Sequence, residues 1–268
     1  MTNFPLVSVV VTLYNYEDFI SDCIKSILRQ DYPNLEVIIV DDASSDKSYK
    51  KAKKFVGDRV RLIKHKKNFG YSVAKNTGIE ASKGDYVMLL DADDMMTTRS
   101  IFCRIQAALS NKVEFVHADA IAIYDNMTLD QCRQLNTLTL PKYGEKSRIE
   151  ARLPSLQHFP TPYEIHAQTV MVHRNLYKKF GLYDEKLRSR SDREMWWRFF
   201  GQSEKDQAKI KVVHINEYVA YYRYHKKSMT RFRVKNPDYN KAMRKIAENV
   251  YAKRRKGINE NNTKFLKD

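Results

Sequence analysis

Two groups of carboxylates stand at the ends of apolar runs, an arrangement that costs free energy unless something positive compensates it. Asp91-Ala92-Asp93-Asp94 follows Tyr86-Val87-Met88-Leu89-Leu90, and Asp41-Asp42 follows the run Leu35 to Val40. Three carboxylates within four residues repel one another, and a bound divalent ion is the simplest compensation. Hard oxygen ligands suit Mg2+ or Mn2+, completed by diphosphate oxygens and water. The competing reading is a solvated acidic turn in which Asp94 caps the next helix. At the second group, a carboxylate can accept from a base N–H or a ribose hydroxyl, and Tyr14, after the first apolar run, offers a ring for stacking. Alternatively Asp42, Ser44 and Ser45 make only a turn and a helix cap.

A third segment, Asn68-Phe69-Gly70-Tyr71-Ser72-Val73-Ala74-Lys75-Asn76-Thr77-Gly78, places a glycine before a helical pattern with Lys75 and Asn76 one turn in. Backbone amides at such an end, with an ammonium nearby, can neutralise phosphate. A plain helix cap explains the same residues. The GxxxxGK[ST] phosphate loop is absent.

The elements that must position these groups follow from two alternating periodicities. Leu6 to Leu13, Leu35 to Val40, Val60 to Ile63, Tyr86 to Leu90 and Val113 to Val116 read as strands buried on both faces, hence a largely parallel sheet. Glu17 to Gln30, Ser45 to Phe55 and Tyr71 to Ala81 read as helices between them. Strand and helix in alternation predict a doubly wound α/β fold, mostly parallel, with ligands bound beyond the carboxyl ends of the strands. Both acidic groups lie at that edge.

Farther along, Asn126 to Pro162 loses its pattern among Pro141, Gly144, Pro154, Pro160 and Pro162, and reads as a long mobile connection over the site. Order is expected again at His166 to His173, in an aromatic helix from Asp192 to Phe200, in a strand from Val212 to Tyr224 and in a helix from Tyr239 to Arg255. The last dozen residues are expected to fray. The expected division is 1–125 as the α/β half that carries both acidic groups, 126–225 as the second half of the same domain, and 226–268 as a basic extension.

Bulk properties narrow the class. A chain of 268 residues with 43% hydrophobic and 12% aromatic residues can bury a core. Cys23, Cys103 and Cys132 are few and scattered, suggesting neither disulfides nor zinc and a reducing compartment. No apolar run approaches the ~20 residues of a membrane helix, so the expectation is a cytoplasmic protein. The net charge of +16 is concentrated from Arg223 onward, where fifteen Lys/Arg face four Asp/Glu. That excess reads as a solvated basic helix, or as peripheral contact with an anionic membrane surface or polyanionic acceptor, rather than as specific nucleic-acid recognition.

The segments VSVVVTLYNYEDFISDCIKSILRQDYPNLEVIIVDDASSDKS, NFGYSVAKNTGIEASKGDYVMLLDADD and GLYDEKLRSRSDREMWWRF resemble, in matching order over about residues 6 to 200, the family 2 glycosyltransferases of the GT-A fold. The resemblance implies inverting transfer of a hexose-type sugar from a nucleotide diphosphate sugar, most often a UDP-sugar, to a hydroxyl of a glycan or other acceptor, with Mn2+ or Mg2+ on the diphosphate. Polysaccharide biosynthesis is the implied setting, with 1–125 as the nucleotide-sugar half and 126–225 as the acceptor and catalytic half. By the same resemblance Thr12, Tyr14, Asn15 and Glu17 line the nucleoside pocket and Asp41 contacts the base. Asp91-Ala92-Asp93 is the Asp-x-Asp element on the donor, with Asp91 and Asp93 as metal ligands and Asp93 the more direct of the two. Lys75 and Asn76 lie beside the sugar phosphate, His225 is a further metal ligand, and Asp192 is the catalytic base. Ser191 stands where the family has Glu before that base, which leaves acceptor geometry open. Of the two adjacent indoles, Trp197 is expected in the core and Trp196 against an acceptor sugar. Two alternatives are a nucleotidyltransferase, which would need a glycine-rich loop where Thr12-Leu13-Tyr14-Asn15 stands, and a basic nucleic-acid-binding module, whose phosphates the acidic clusters would repel.

Overall fold

The computed structural model describes residues 4–124, 127–133, 165–200, 210–228 and 235–257. At its centre β1 (Val7–Leu13), buried along its whole length, pairs in parallel with β2 (Leu35–Asp41) on one side and β4 (Tyr86–Asp91) on the other. Such continuous burial is what its β-branched run demands, since both faces must be covered. Outside β2 lies β3 (Val60–Lys64), again parallel. The sheet then turns mixed: β7 (Met171–His173) is antiparallel to both β4 and β6 (Phe115–Tyr124), and β8 (Val212–Tyr224) runs parallel to β6. The short β5 (Met95–Met96) closes the order β3-β2-β1-β4-β7-β6-β8-β5.

Successive β1 side chains point to opposite layers. Val7, Val9 and Val11 pack with α1 (Ile20–Leu28), α2 (Ser48–Lys53) and α4 (Ser100–Asn111). Val10 packs with α3 (Tyr71–Ala81), α6 (Arg174–Phe180) and α7 (Ser191–Phe200). On the outer side of α7 lies α8 (Pro237–Gly257), whose Ala247 and Tyr251 cover Trp197 and Leu187. Exposed Lys241, Lys245 and Lys253 of α8 carry part of the basic excess. Among the described residues no helix is long and apolar enough to cross a membrane.

Strands β1 to β4 fall within one residue of the apolar runs that predict them, whereas β6 spans Phe115 to Tyr124 rather than Val113 to Val116. His117 and Asp119 break the apolar pattern there, but buried His117 stacks on His214 of β8, and His214 Nε2 lies 3.1 Å from Asp119 Oδ1 at an irregularity in the ladder. Burial, then His214, lowers the His117 pKa to about 3, so the ring is neutral in the sheet. Helix α1 opens at Ile20, later than Glu17, because Glu17 is spent on a clip between loops: its N–H donates to Asp46 Oδ2 and its Oε2 accepts from Lys47 N. Helix α2 likewise begins at Ser48, whose N–H donates to Asp46 Oδ1.

The elements β5, α4 and α6 lie outside the sequence expectations. So does α5 (Leu129–Arg133), a helix inside the stretch read as a mobile connection; residues 126 and 134–162 of that stretch, like residues 258–268 at the end, are outside the described residues. The indole expectation needs correction too. Trp196 is as buried as Trp197, edge-on to Phe115 in the core under β6, so it has no face for an acceptor sugar.

Helix α3 rides unusually close to β1. A Cβ on Gly78 would sit 2.1 Å from Val10 Cγ1, so only glycine fits, despite its ~1 kcal/mol penalty in a helix. Gly78→Ala must push α3 off the sheet and is expected to destabilise by ~1–3 kcal/mol. Urea unfolding checks this, and an unchanged midpoint would contradict the packing described.

Candidate active site

The carboxyl ends of β1, β2 and β4 converge, and each sends a loop with a positive-φ or acidic residue to the same edge. Asn15 and Ala43 adopt φ of 56° and 62°, a conformation that costs a non-glycine residue ~1 kcal/mol or more and persists when surrounding bonds hold it. Here Asn15 N donates to Ser44 Oγ, and Asn15 Oδ1 accepts from Ser45 N at 2.8 Å. Asn15 and Glu17 thus join the β1 and β2 loops to each other. Tyr14, 45% exposed, leaves its ring open beside them.

The two carboxylates after β2 separate into different roles. Asp42 accepts from Phe69 N, Gly70 N and His65 Nδ1 at 2.7–2.9 Å, anchoring the loop that launches α3. Asp41 is fully buried, its Oδ1 accepts from Ser44 N, and its Oδ2 has no partner. Burial raises its pKa above the ordinary carboxylate value. A buried acceptor without a donor costs roughly 1–3 kcal/mol and marks a place where a ligand N–H would be stabilising.

At the end of β4, ligand atoms of Asp91, Asp93 and Asp94 lie within 4.8 Å of one another. Asp91 is wrapped in donors: Thr12 Oγ1 at 2.8 Å, Tyr71 Oη at 2.8 and 3.0 Å, and Gln168 Nε2 at 3.0 Å. Even so, desolvation and then Asp93 push its pKa up to about 6, against the opposing pull of Lys75, Tyr71 and Thr12. Ala92 is fully buried and gives its N–H to Thr12 O, tying the loop to β1. Asp94 does not cap α4. Its Oδ1 accepts from Arg223 N, its Oδ2 has no partner, and burial, then Asp93 and Asp91, drives its pKa well up.

Asp93 Oδ2 meets His225 Nε2 at 2.9 Å. Lys227 N lies 3.3 Å from the other ring nitrogen, Nδ1. The ring is held edge-on to Tyr16 and tilted against Phe19, while Arg223 donates from Nε to Asp93 O. The site therefore fits a cation: carboxylate oxygens and an imidazole converge, one buried oxygen is unpartnered, and like charges are packed without full compensation.

The catalytic base expected at Asp192 stands at the first turn of α7, two residues after Arg190, whose φ of 61° is another strained position. It is ion-paired with Lys75 of α3. Lys75 lies over the Tyr71 ring, 3.8 Å from its centroid, and the Tyr71 hydroxyl reaches Asp91. Asp192 and the acidic cluster therefore flank one Lys75–Tyr71 unit. Asn76 is placed differently from its sequence reading. Its Oδ1 accepts from Tyr183 N and its Nδ2 donates to Tyr183 O, so it clamps the chain before α7 rather than facing a phosphate.

Thr12, Tyr14, Asn15, Glu17, Asp41, Asp91, Ala92, Asp93 and His225 thus share one edge, with Lys75 and Asp192 joined across it. Sequence reading missed Gln168, Tyr16, Tyr71 and Arg223. Tyr16 and Tyr71 lie inside the quoted motifs and could have been read from them; Gln168 comes from a 3-10 turn (Ala167–Thr169) and carries no local signal.

A family model described as glycosyl transferase family 2 matches residues 8–181. Over 199 residues the chain is 32% identical to an uncharacterised glycosyltransferase of Rickettsia typhi, covering 74% of this chain and 59% of that one. The fold is similar to that of S. aureus TarS in complex with UDP-GlcNAc, with TM-score 0.64 and 18% identity over 83% of this chain and 60% of that chain. It is also similar to the mannosyltransferase PcManGT from Pyrobaculum calidifontis in complex with GDP-Man and Mn2+, with TM-score 0.60 and 16% identity over 97% of this chain and 72% of that chain. Those two likenesses carry the GT-A fold, and neither alternative reading of the sequence gains support from them. With fold, motif order and matched residues in agreement, the chain belongs to glycosyl transferase family 2.

Proposed function

We propose that the protein is a metal-dependent inverting glycosyltransferase that moves a hexose-type sugar from a UDP-sugar to an acceptor hydroxyl. The observation that carries this reading is the buried carboxylate cluster with His225 at the β4 edge, lying across the Lys75–Tyr71 unit from Asp192. Asp93, Asp94 and His225 would hold Mg2+ or Mn2+, and such an ion, when bound, offsets the charge of the donor diphosphate. The unpartnered Asp41 Oδ2 suits the ring N–H of uracil, and Tyr14 offers a stacking face for the base. Asp91 stays with its three donor side chains and fixes the cluster's shape. Asp192 accepts the proton of the attacking hydroxyl, which displaces the diphosphate from the opposite face of the anomeric carbon.

Three outcomes check this. In a thermal-shift screen of UDP- and GDP-sugars, a UDP-sugar should stabilise the protein only when Mn2+ or Mg2+ is present, and Asp93→Ala should abolish that shift. Equal stabilisation by the nucleotide without metal would contradict the cation assignment. Asp192→Asn should keep nucleotide binding and lower turnover by at least ~100-fold; full activity would place the base elsewhere.

The third concerns the strain of the cluster. Asp94 holds its proton more tightly folded than unfolded, so its contribution to stability is complete below the unfolded carboxylate value of roughly 4 and is lost as pH rises toward the folded one. Asp94→Asn should therefore raise the Tm of the metal-free protein at pH 7.5 by roughly 2–4 °C per kcal/mol regained, and by less at pH 4. A lower Tm at pH 7.5 would show that Asp94 is not strained.

A further inference from the structure

We infer that Lys75 is a positioning residue for Asp192 rather than a ligand of the donor phosphates, so that one buried ammonium fixes the base and Tyr71 ties that base to the metal edge. The inference rests on the glycosyltransferase reading for what Asp192 does, but the pairing itself does not.

Three observations carry it. The Lys75 side chain is 1% exposed while that of Asp192 is 27% exposed, so the ammonium is enclosed and the carboxylate opens to the cleft. Enclosure comes from two rings: Nζ lies 3.8 Å from the Tyr71 centroid and 4.5 Å from that of Tyr183. Cation–π attraction strengthens in such a desolvated place, and turning Nζ toward a phosphate would forfeit both faces and the carboxylate together. Finally, each wall of the cage is itself fixed. Tyr71 is held by its hydroxyl on Asp91, and the Tyr183 backbone is clamped on both sides by Asn76, one residue after Lys75 on the same helix.

The arrangement has a chemical consequence. With Oδ1 engaged by Lys75, rotation of the Asp192 carboxylate is restrained. A base held in one orientation spends less of the binding free energy on alignment when an acceptor arrives. Donor affinity does not enter, because the ammonium faces the acceptor base.

Two measurements test the assignment. In protein labelled with [15Nζ]lysine, the Lys75 ammonium signal, identified by its disappearance in Lys75→Arg, should shift on Asp192→Asn and stay in place on saturation with UDP and Mg2+. A signal that ignores Asp192→Asn but moves with UDP would overturn the inference in favour of phosphate contact. This arm needs no sugar or acceptor, so a failure of UDP to bind would count against the proposed function and leave the Asp192 response to judge the pair. In turnover with the donor selected by thermal shift, Lys75→Met should lower kcat by at least ~30-fold with UDP affinity changed less than ~3-fold, and Lys75→Arg should restore much of kcat. A loss confined to KM for the donor would refute it. Should Lys75→Met not fold, the labelled wild-type measurement still decides.

Discussion

Negative charge crowded at the tip of one strand is the constraint on which the rest of the site depends. Asp91, Asp93 and Asp94 cannot all ionise cheaply under burial, and the surrounding residues are arranged to contain that repulsion. Thr12, Tyr71 and Gln168 absorb Asp91. Backbone and guanidinium of Arg223 bridge Asp94 and Asp93, and His225 closes on Asp93. These partners come from β1, α3, the turn before β7, and β8, so the cluster cross-links four separate stretches of chain. What remains uncompensated, the Asp94 Oδ2 and the mutual repulsion, is a fixed electrostatic demand for a cation.

A second layer holds those partners in turn. Arg104 of α4 is fully buried, donating to the carbonyls of Gln168 and Val170 and so fixing the turn that aims Gln168 at Asp91. Desolvation lowers its pKa to about 9, still above neutrality, so it stays charged. On the far side, Arg198 and Glu194 form a buried i,i+4 pair on α7, and Arg198 also bonds the carbonyls of Gly181 and Leu182. Removing one member of such a pair leaves an uncompensated buried charge, typically costing ~3–5 kcal/mol. The segment that leads to Tyr183 and the helix that carries Asp192 in its first turn are therefore locked together independently of any ligand.

The sequence made legible what depends on local pattern. The strands β1 to β4 and the helix α3 follow from runs of one periodicity between polar turns, and their carboxyl ends pointed directly to Asp41, Asp91 and Asp93. Less legible was anything decided by tertiary contact. Whether Glu17 starts a helix or clips two loops depends on Asp46 and Lys47 lying opposite it, which no periodicity records. Asp41 and Asp42 are adjacent and identical in type, yet one is an anchor for α3 and the other ends in an unpartnered oxygen; only the position of His65, Phe69 and Gly70 separates them. Trp196 failed for a similar reason. Helical spacing shows that two adjacent indoles diverge, but both directions turned out to be covered, one by Phe115 and the other by α8.

The contrast between Lys75 and Asn76 carries this point to the mechanism. Read along the chain, both belong to a phosphate-facing helix start, because a glycine, an ammonium and an amide stand close together. In the fold, α3 presses against β1 through Gly78, and its buried face turns toward α7 and the Tyr183 segment. Asn76 then saturates the Tyr183 backbone and Lys75 is drawn under the Tyr71 and Tyr183 rings to Asp192. Helix–sheet contact through a single glycine thus sets the depth at which the ammonium meets Asp192. In the proposed reaction the geometry of proton removal would follow from core packing, and the donor side would be left to the carboxylates of β2 and β4.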